Sequence, residues 1–531
     1  MINNNILLAK NKAVYNGLVK AFSKKFGSNN EFEKQLDAIN LIAAYQWRIH
    51  AGLYADLYLE KWALGIGKRI WDDNNVVAPI LPKATQKLNI LHVVTQTYSV
   101  GGHTRLLLNI IRNDTNSLHN VVLINRKAED APDWLHEAVK ATGGAIITLC
   151  EESKVEQVAI LQQLLVNQAD RIFYSIHPDD SVSVAALAAT PRPQVLTINH
   201  SDHTFWLGSI LSDVVVCYRR WSLPFSLSAR AVQKVELLPT PLNFEIVAPN
   251  AKREARNVLG IRDEQIVILT VASAYKFTPT DEHNYYRLIR KAIDDNPQVL
   301  VKVIGVQESE GSNLGFEEHQ RIELLGAIDD PKIYYMAADI YVDSLPFGSF
   351  TSLFEAMYFG CFPVLQFNPT DMLVIGQEPA LQGLVQHPHD ENEAIKNIQR
   401  AINDIDYRQQ IAQRGSNLIQ QHYMGKGWKE YLTNLYRDSA AIVTSVRDIS
   451  DIETLNLRNA EQQNDLDAAY MSNVFFGDSI NFLLYSLLER IDKFSIKDGV
   501  KIYLSLQKEQ QRMSLKQLLH FIKNKINHRY K

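Results

Sequence analysis

Residues Asp343 to Leu365 read DSLPFGSFTSLFEAMYFGCFPVL. The apolar run IYVDSL stops at Pro346-Phe347-Gly348-Ser349, an amphipathic stretch is expected to be helical from about Ser352, and a second apolar run, FPVLQF, follows almost at once. Short apolar runs bounded by turn residues read as buried strands, and apolar positions three and four apart read as helix. The segment is therefore a βαβ unit, which places its two strands parallel and its chemistry at the turn after the first.

The same alternation extends in both directions. LNILHVVTQT, NVVLINR, AIITLC, RIFYSI, QVLTINH and DVVVCY form one series of apolar runs. IVILTVAS, VLVKVIG, RIELLGAI, IYVDSL and FPVLQF form a second, after LLPTPLNF. Strands alternating with helices imply parallel sheets covered on both faces. Pro239 and Pro241 mark the linker between the two series. Ahead of them, Leu36, Ile39, Ala43 and Trp47, then Leu57, Trp62, Ile66 and Ile70, recur at helical spacing. The expected organisation is α/β: a helical extension over 1–87, a Rossmann-like domain over 88–240, a second over 241–438, and a helical extension over 439–531.

With 531 residues the chain exceeds what a single core accommodates. Its 55 Lys and Arg against 59 Asp and Glu give a formal charge of -4, so there is no basic field for nucleic acid. No apolar run is long enough to cross a membrane, and the start lacks a signal-peptide pattern, which points to the cytoplasm. Cys150, Cys217 and Cys361 are isolated, which argues against disulfides and a structural zinc site.

Several strand-end loops carry chemistry. Gly101 and Gly102 in YSVGGHTRLLLNII permit close backbone approach ahead of a helix N-terminus, a place suited to an anion. RIFYSI is followed by His177-Pro178-Asp179-Asp180 and QVLTIN by His200-Ser201-Asp202-His203, which puts titratable groups on one rim. Asp179 and Asp180 read first as caps of a helix beginning near Ser181. A metal needs three or four placed ligands, and no second cluster of matching spacing supports one at His200 and His203. Lys276, in ASAYKFTP, is either a solvated lysine or a point charge for a departing diphosphate. Ser352 and Glu355 have capping-box spacing, while Gly348, Ser349, Phe350 and Thr351 could offer amides to phosphate; spacing alone does not choose.

A family resemblance does bear on the choice. GSFTSLFEAMYFGCFPVL resembles the donor-binding segment of GT-B glycosyltransferases, in which a Gly/Ser/Thr loop holds the diphosphate and a Glu binds the ribose hydroxyls. ILHVVTQTYSVGGHTRLLLNII looks like their first strand and Gly-Gly loop, and DIDYRQQIAQRGSNLIQQHYMGKGWKEYLTNLY is similar to the closing helices of glycosyltransferase family four. The resemblance covers about Leu88 to Asp438. It implies a GT-B fold, two Rossmann-like domains facing across a cleft, and sugar transfer without a metal or cofactor from a nucleotide-sugar co-substrate, UDP-linked, to a saccharide, lipid-linked or protein acceptor. By position, Gly101, Gly102, Lys276, Gly348, Ser349, Phe350, Thr351, Ser352 and Glu355 would bind the donor, with Lys276 also catalytic. His203 or Asp202 would activate the acceptor, and His103, His177 and His200 would contact acceptor or sugar.

Phe347 stands where retaining members of family four carry the first of two glutamates. ASAYKFTP and PFGSFTS lean instead toward the inverting family of O-GlcNAc and bacterial N-glycosyl transferases, which also have a helical N-terminal extension. A nucleotide-sugar epimerase and a catalytically silent GT-B scaffold are the alternatives. The end of the chain, LKQLLHFIKNKINHRYK, is basic and amphipathic; it reads as a helix packed on the protein or, alternatively, as a peripheral contact with an anionic membrane.

Overall fold

The computed structural model describes residues 4–27, 30–49, 51–73, 75–98, 102–245, 247–279, 283–367, 378–439 and 441–449. Gly101 and nearly all of the expected C-terminal extension, with its basic tail, lie outside them. The chain divides into two compact units: the described residues of 1–217, 222–237 and 434–449 form the first, and 218–221 with 238–433 the second.

The first unit is built on β1 (Leu88–Val94), β2 (Ser117–Leu123), β3 (Ile146–Thr148), β4 (Arg171–Ser175), β5 (Arg192–Pro193), β6 (Val195–Asn199), β7 (Val214–Cys217) and β8 (Val235–Leu237). Seven of these form a parallel sheet in the order β3-β2-β1-β4-β6-β7-β8. Strands covered on both faces are buried throughout, as all seven residues of β2 and all five of β6 are; their polar members, such as Asn120 and Thr197, are hydrogen-bonded. The order reverses between β1 and β4, which pair from Ile90↔Arg171 to Val94↔Ser175. Chains leave the sheet in opposite directions at such a point, opening a crevice at the strand ends.

Three helices precede the sheet, Asn4–Phe26, Phe32–Ile49 and Leu57–Asp72. Leu36, Ile39, Ile42 and Tyr45 are fully buried in a core shared with Val182, Val184 and Ala185 of the helix Ser181–Ala186. Each such apolar side chain contributes about 1.5–3 kcal/mol on leaving water. The approach is close enough to require glycine: a Cβ on Gly67 would lie 1.9 Å from the Ala185 carbonyl oxygen. Polar ties reinforce it. Glu33 accepts from the amides of Lys154 and Val155 at 3.1 Å each, capping the helix Lys154–Asn167, and Asp37 pairs with Lys154 at 2.7 Å. Glu60 is fully buried and accepts from the amides of Ile210 (3.3 Å) and Leu211 (3.0 Å).

The second unit contains β9 (Ile266–Val271), β10 (Val299–Ile304), β11 (Ile322–Leu324), β12 (Ile340–Val342) and β13 (Phe362–Val364), parallel in the order β11-β10-β9-β12-β13. Its reversal lies between β9 and β12. A short β14 (Ile442–Val443) pairs antiparallel with β5 in the first unit. Among the described residues no helix is long and apolar enough to cross a membrane.

One local expectation is corrected. The helix after β12 spans Phe350–Tyr358, with Ser349 at its N-cap position, two residues before the expected start. Ser352 and Glu355 therefore form no capping box; both lie inside the helix. The cause is tertiary, because the Ser349 amide is held at 2.7 Å by Oδ1 of Asp343, six residues back.

Candidate active site

In the second unit the loops after β9 and β12 flank the reversal of strand order. The first supplies Lys276 from a short 3-10 turn, Ala274–Phe277. Its ammonium donates to the Gly348 carbonyl and to Ser349 Oγ, both at 3.1 Å, and lies 5.3 Å from the centroid of the Phe347 ring. Lys276 is thus half-buried and engaged, not a solvated lysine. Burial lowers its pKa to about 8, while Asp343 acts in the opposite sense. Asp343 itself is buried, and burial raises its carboxyl to about 6 against the Ser349 amide, Lys276 and the Ser344 amide.

The helix Phe350–Tyr358 has no acidic residue in its first turn, and the Ser349 side chain makes no capping bond. The amides of Phe350, Thr351 and Ser352 thus form the positive end of a helix dipole that its N-cap does not occupy, a ready site for an anion. Thr351 is exposed, Ser352 and Phe350 are half-buried, and Glu355 accepts from the Tyr335 hydroxyl at 3.0 Å. Lys276, Gly348, Ser349 and the first helical turn are therefore brought to one place, with Glu355 a turn further along the helix.

The first unit presents a different set. The segments after β1, β4 and β6, three adjacent strands, carry His103, in the first turn of a helix, His177 and His200. The rings of His103 and His200 are 4.5 Å apart between centroids, and those of His103 and His177 are 6.1 Å apart. His177 Nε2 is 3.1 Å from the Tyr98 hydroxyl, and its amide donates to Thr95 Oγ1 at 2.8 Å. Burial lowers all three imidazoles, His103 to about 4 with His177 adding to the effect. At neutral pH the cluster is an uncharged set of donors and acceptors.

Gly102 opens the helix Gly102–Asn113, whose second residue is His103. Asp180 is the N-cap of Ser181–Ala186, accepting from the Ser183 amide at 2.9 Å and from Thr95 Oγ1 at 2.6 Å. Asp202 and His203 sit on the turn after His200, with Oδ1 and Nδ1 3.4 Å apart. Their backbone is anchored by buried Arg230, which donates to the carbonyls of Asp202 (2.8 Å) and Thr204 (2.6 Å). No group of three or more His, Cys, Asp or Glu placed to hold a metal occurs among the described residues.

Reading the sequence missed three participants. Trp47, from the helix Phe32–Ile49, packs edge-on against His177 with centroids 6.0 Å apart, and nothing local announces a contact so distant in the chain. Tyr98 had a signal, since it stands between a strand and a glycine pair. Asp343 had the clearest one, a lone acid closing an otherwise apolar strand.

No protein-family model matches the sequence, and neither does any curated protein. Among solved structures, a mutant of the Thermobaculum terrenum O-GlcNAc transferase is similar at a TM-score of 0.50 and 16% identity, over 82% of this chain and 82% of that one. Anabaena HepE, solved with UDP and glucose, gives a TM-score of 0.49 and 17% identity, over 66% of this chain and 100% of that one. Likeness at such identities concerns architecture and leaves function to the site. Two parallel α/β units with these strand orders, together with the likeness to the O-GlcNAc transferase structure, show a GT-B fold.

Proposed function

We propose that the protein is a cytoplasmic glycosyltransferase that moves a sugar from a nucleotide-diphosphate donor, UDP-linked, to a saccharide, lipid-linked or protein acceptor. The observation that carries this reading is the convergence of Lys276 and the acid-free N-terminus of Phe350–Tyr358 on one loop at the strand-order reversal of the second unit. A departing diphosphate gains negative charge as the bond to the anomeric carbon breaks. Lys276 and the amides of Phe350, Thr351 and Ser352 supply positive charge where it develops, so the proposed step assigns no role to a metal. Glu355 is proposed to bind the ribose hydroxyls.

The first unit is proposed to serve the acceptor. Neutral His103, His177 and His200 can accept or donate hydrogen bonds to hydroxyls without bringing charge, and Asp202 or His203 is proposed to take the acceptor's proton. The test is to incubate the protein with a panel of nucleotide sugars, with and without acceptor extract, and follow nucleotide release. Release that rises with extract is the expected result. Interconversion of donors without acceptor would establish an epimerase instead, and no turnover of any donor would leave a silent scaffold.

A further inference from the structure

Asp343 has one carboxylate oxygen in use and one idle. Oδ1 accepts from the amides of Ser344 at 2.9 Å and Ser349 at 2.7 Å. Oδ2 is buried without a hydrogen-bond partner among the described residues. It lies against Gly348: a Cβ there would lie 2.6 Å from Oδ2 and 2.8 Å from Gln366 Nε2, so a side chain at this position would have to displace Asp343 and Gln366. The carbonyl of that glycine is also the acceptor for Lys276. A buried carboxylate oxygen with no donor is costly in its charged form, which sets this group apart from an ordinary structural tie.

We propose that Asp343 is the positioning residue of this loop and that it takes up a proton from solvent when a nucleotide diphosphate seats beside Gly348 and Lys276. The inference rests on the donor-site reading above. While the loop is empty, ionised Asp343 balances Lys276 and pins both ends of the turn. An arriving diphosphate adds negative charge in a low-dielectric setting, where like charges favour the protonated carboxyl. Oδ2 can carry that proton without disturbing either amide bond to Oδ1. The charge of Lys276 then faces the diphosphate without competition.

The titratable groups coupled to Asp343 are Lys276 from the loop after β9, Tyr341 on β12 and Tyr285 at the start of the helix Tyr285–Ile293. Both tyrosines are pushed above the ordinary phenol range by burial and stay neutral. With Asp343 near 6 and Lys276 near 8, at pH 7 the carboxyl is mostly ionised and the ammonium mostly charged, so the carboxyl has by far the larger capacity to take up a proton. At lower pH Asp343 is already protonated and binding has no proton to draw.

The experiment is calorimetric titration of the full chain with UDP-glucose and with GDP-mannose, whose diphosphates carry no group titrating in this range. Buffers of different ionisation enthalpy at pH 5 and at pH 7 then count the protons. Uptake of a large fraction of one proton at pH 7, falling toward zero at pH 5 and abolished in Asp343→Asn, is the expected result. Should the variant fail to fold, the size of the uptake at pH 7 decides: Lys276, near 8, is already mostly charged there and can add only a small fraction of a proton. Binding with no uptake at pH 7, or uptake that persists in a folded Asp343→Asn, overturns the inference and leaves the donor site standing. Failure of either sugar nucleotide to bind the intact protein at any pH overturns the donor-site reading and this inference together.

Discussion

In the first unit the loops after β1 and β4 present Tyr98, His103 and His177; in the second, the loops after β9 and β12 present Lys276 and Asp343. The topological position is the same, a reversal of strand order in a parallel sheet, and the furnishing is opposite. The first set is aromatic and neutral, with burial holding His103 at about 4. The second is a half-buried lysine and a buried aspartate beside a helix N-terminus. A common scaffold supplies the crevice, while the few side chains at its strand ends decide whether an anion or an uncharged hydroxyl suits it.

The sharpest break in this comparison comes from Lys276→Ala. If the charged loop serves the leaving diphosphate, turnover falls about tenfold to a thousandfold, the scale for one charge-stabilising group, as measured by initial rates at saturating donor. An unchanged rate would strip the second unit of the role that distinguishes it.

The attachment of the N-terminal helices to the rest of the first unit is tested by pH. Burial raises Glu60 to about 8, against the amides of Ile210, Leu211 and Gly208. A carboxyl raised in the fold stays protonated where the unfolded chain has ionised, so stability falls as pH rises from about 4.5 toward 8. The loss is on the order of a few kcal/mol, and Glu60→Gln should flatten that part of the profile in chemical denaturation. A variant with the same slope as the parent would place the titration elsewhere.

His177→Phe probes the rim itself. Phenylalanine keeps a ring against Trp47 and Tyr98 but removes the Nε2 contact with the Tyr98 hydroxyl. Turnover should drop about tenfold with donor affinity unchanged, because an interaction made at the reacting groups affects the rate more than ground-state nucleotide binding. A loss of donor affinity instead would erase the division of labour between the units.

The smallest effect is expected from Glu355→Gln. Gln retains an oxygen to accept from Tyr335, so folding should change by less than about 1 kcal/mol, while loss of a charged ribose partner weakens nucleotide binding about tenfold. Equal affinity by calorimetry would leave Glu355 a structural partner of Tyr335 alone.

Much of this was legible in the residues. The strands are apolar runs of the length buried strands require, and loops after them bear Lys276, Gly348, His177 and His200 in plain view. The start of the helix at Phe350 was misjudged because capping-box spacing is a local signal, and the actual support comes from Asp343 through a turn. Trp47 reads in the sequence only as one apolar position of a helix, because a residue ahead of the sheet reaches His177 only through packing.

Periodicity determines by itself which segments are strands and which are helices, since burial on two faces or on one imposes a pattern that each segment carries alone. Strand alternation likewise settles the parallel α/β class, and residue type settles what each loop has to offer. Which loops meet is a different matter. It depends on the orders β3-β2-β1-β4-β6-β7-β8 and β11-β10-β9-β12-β13, which are contacts among segments far apart in the chain. Burial is also a property of the assembled fold: only there does Lys276 leave water for the Gly348 carbonyl and Ser349 hydroxyl, and only there does an aspartate at the end of β12 lose the solvent that would have kept it an ordinary carboxylate.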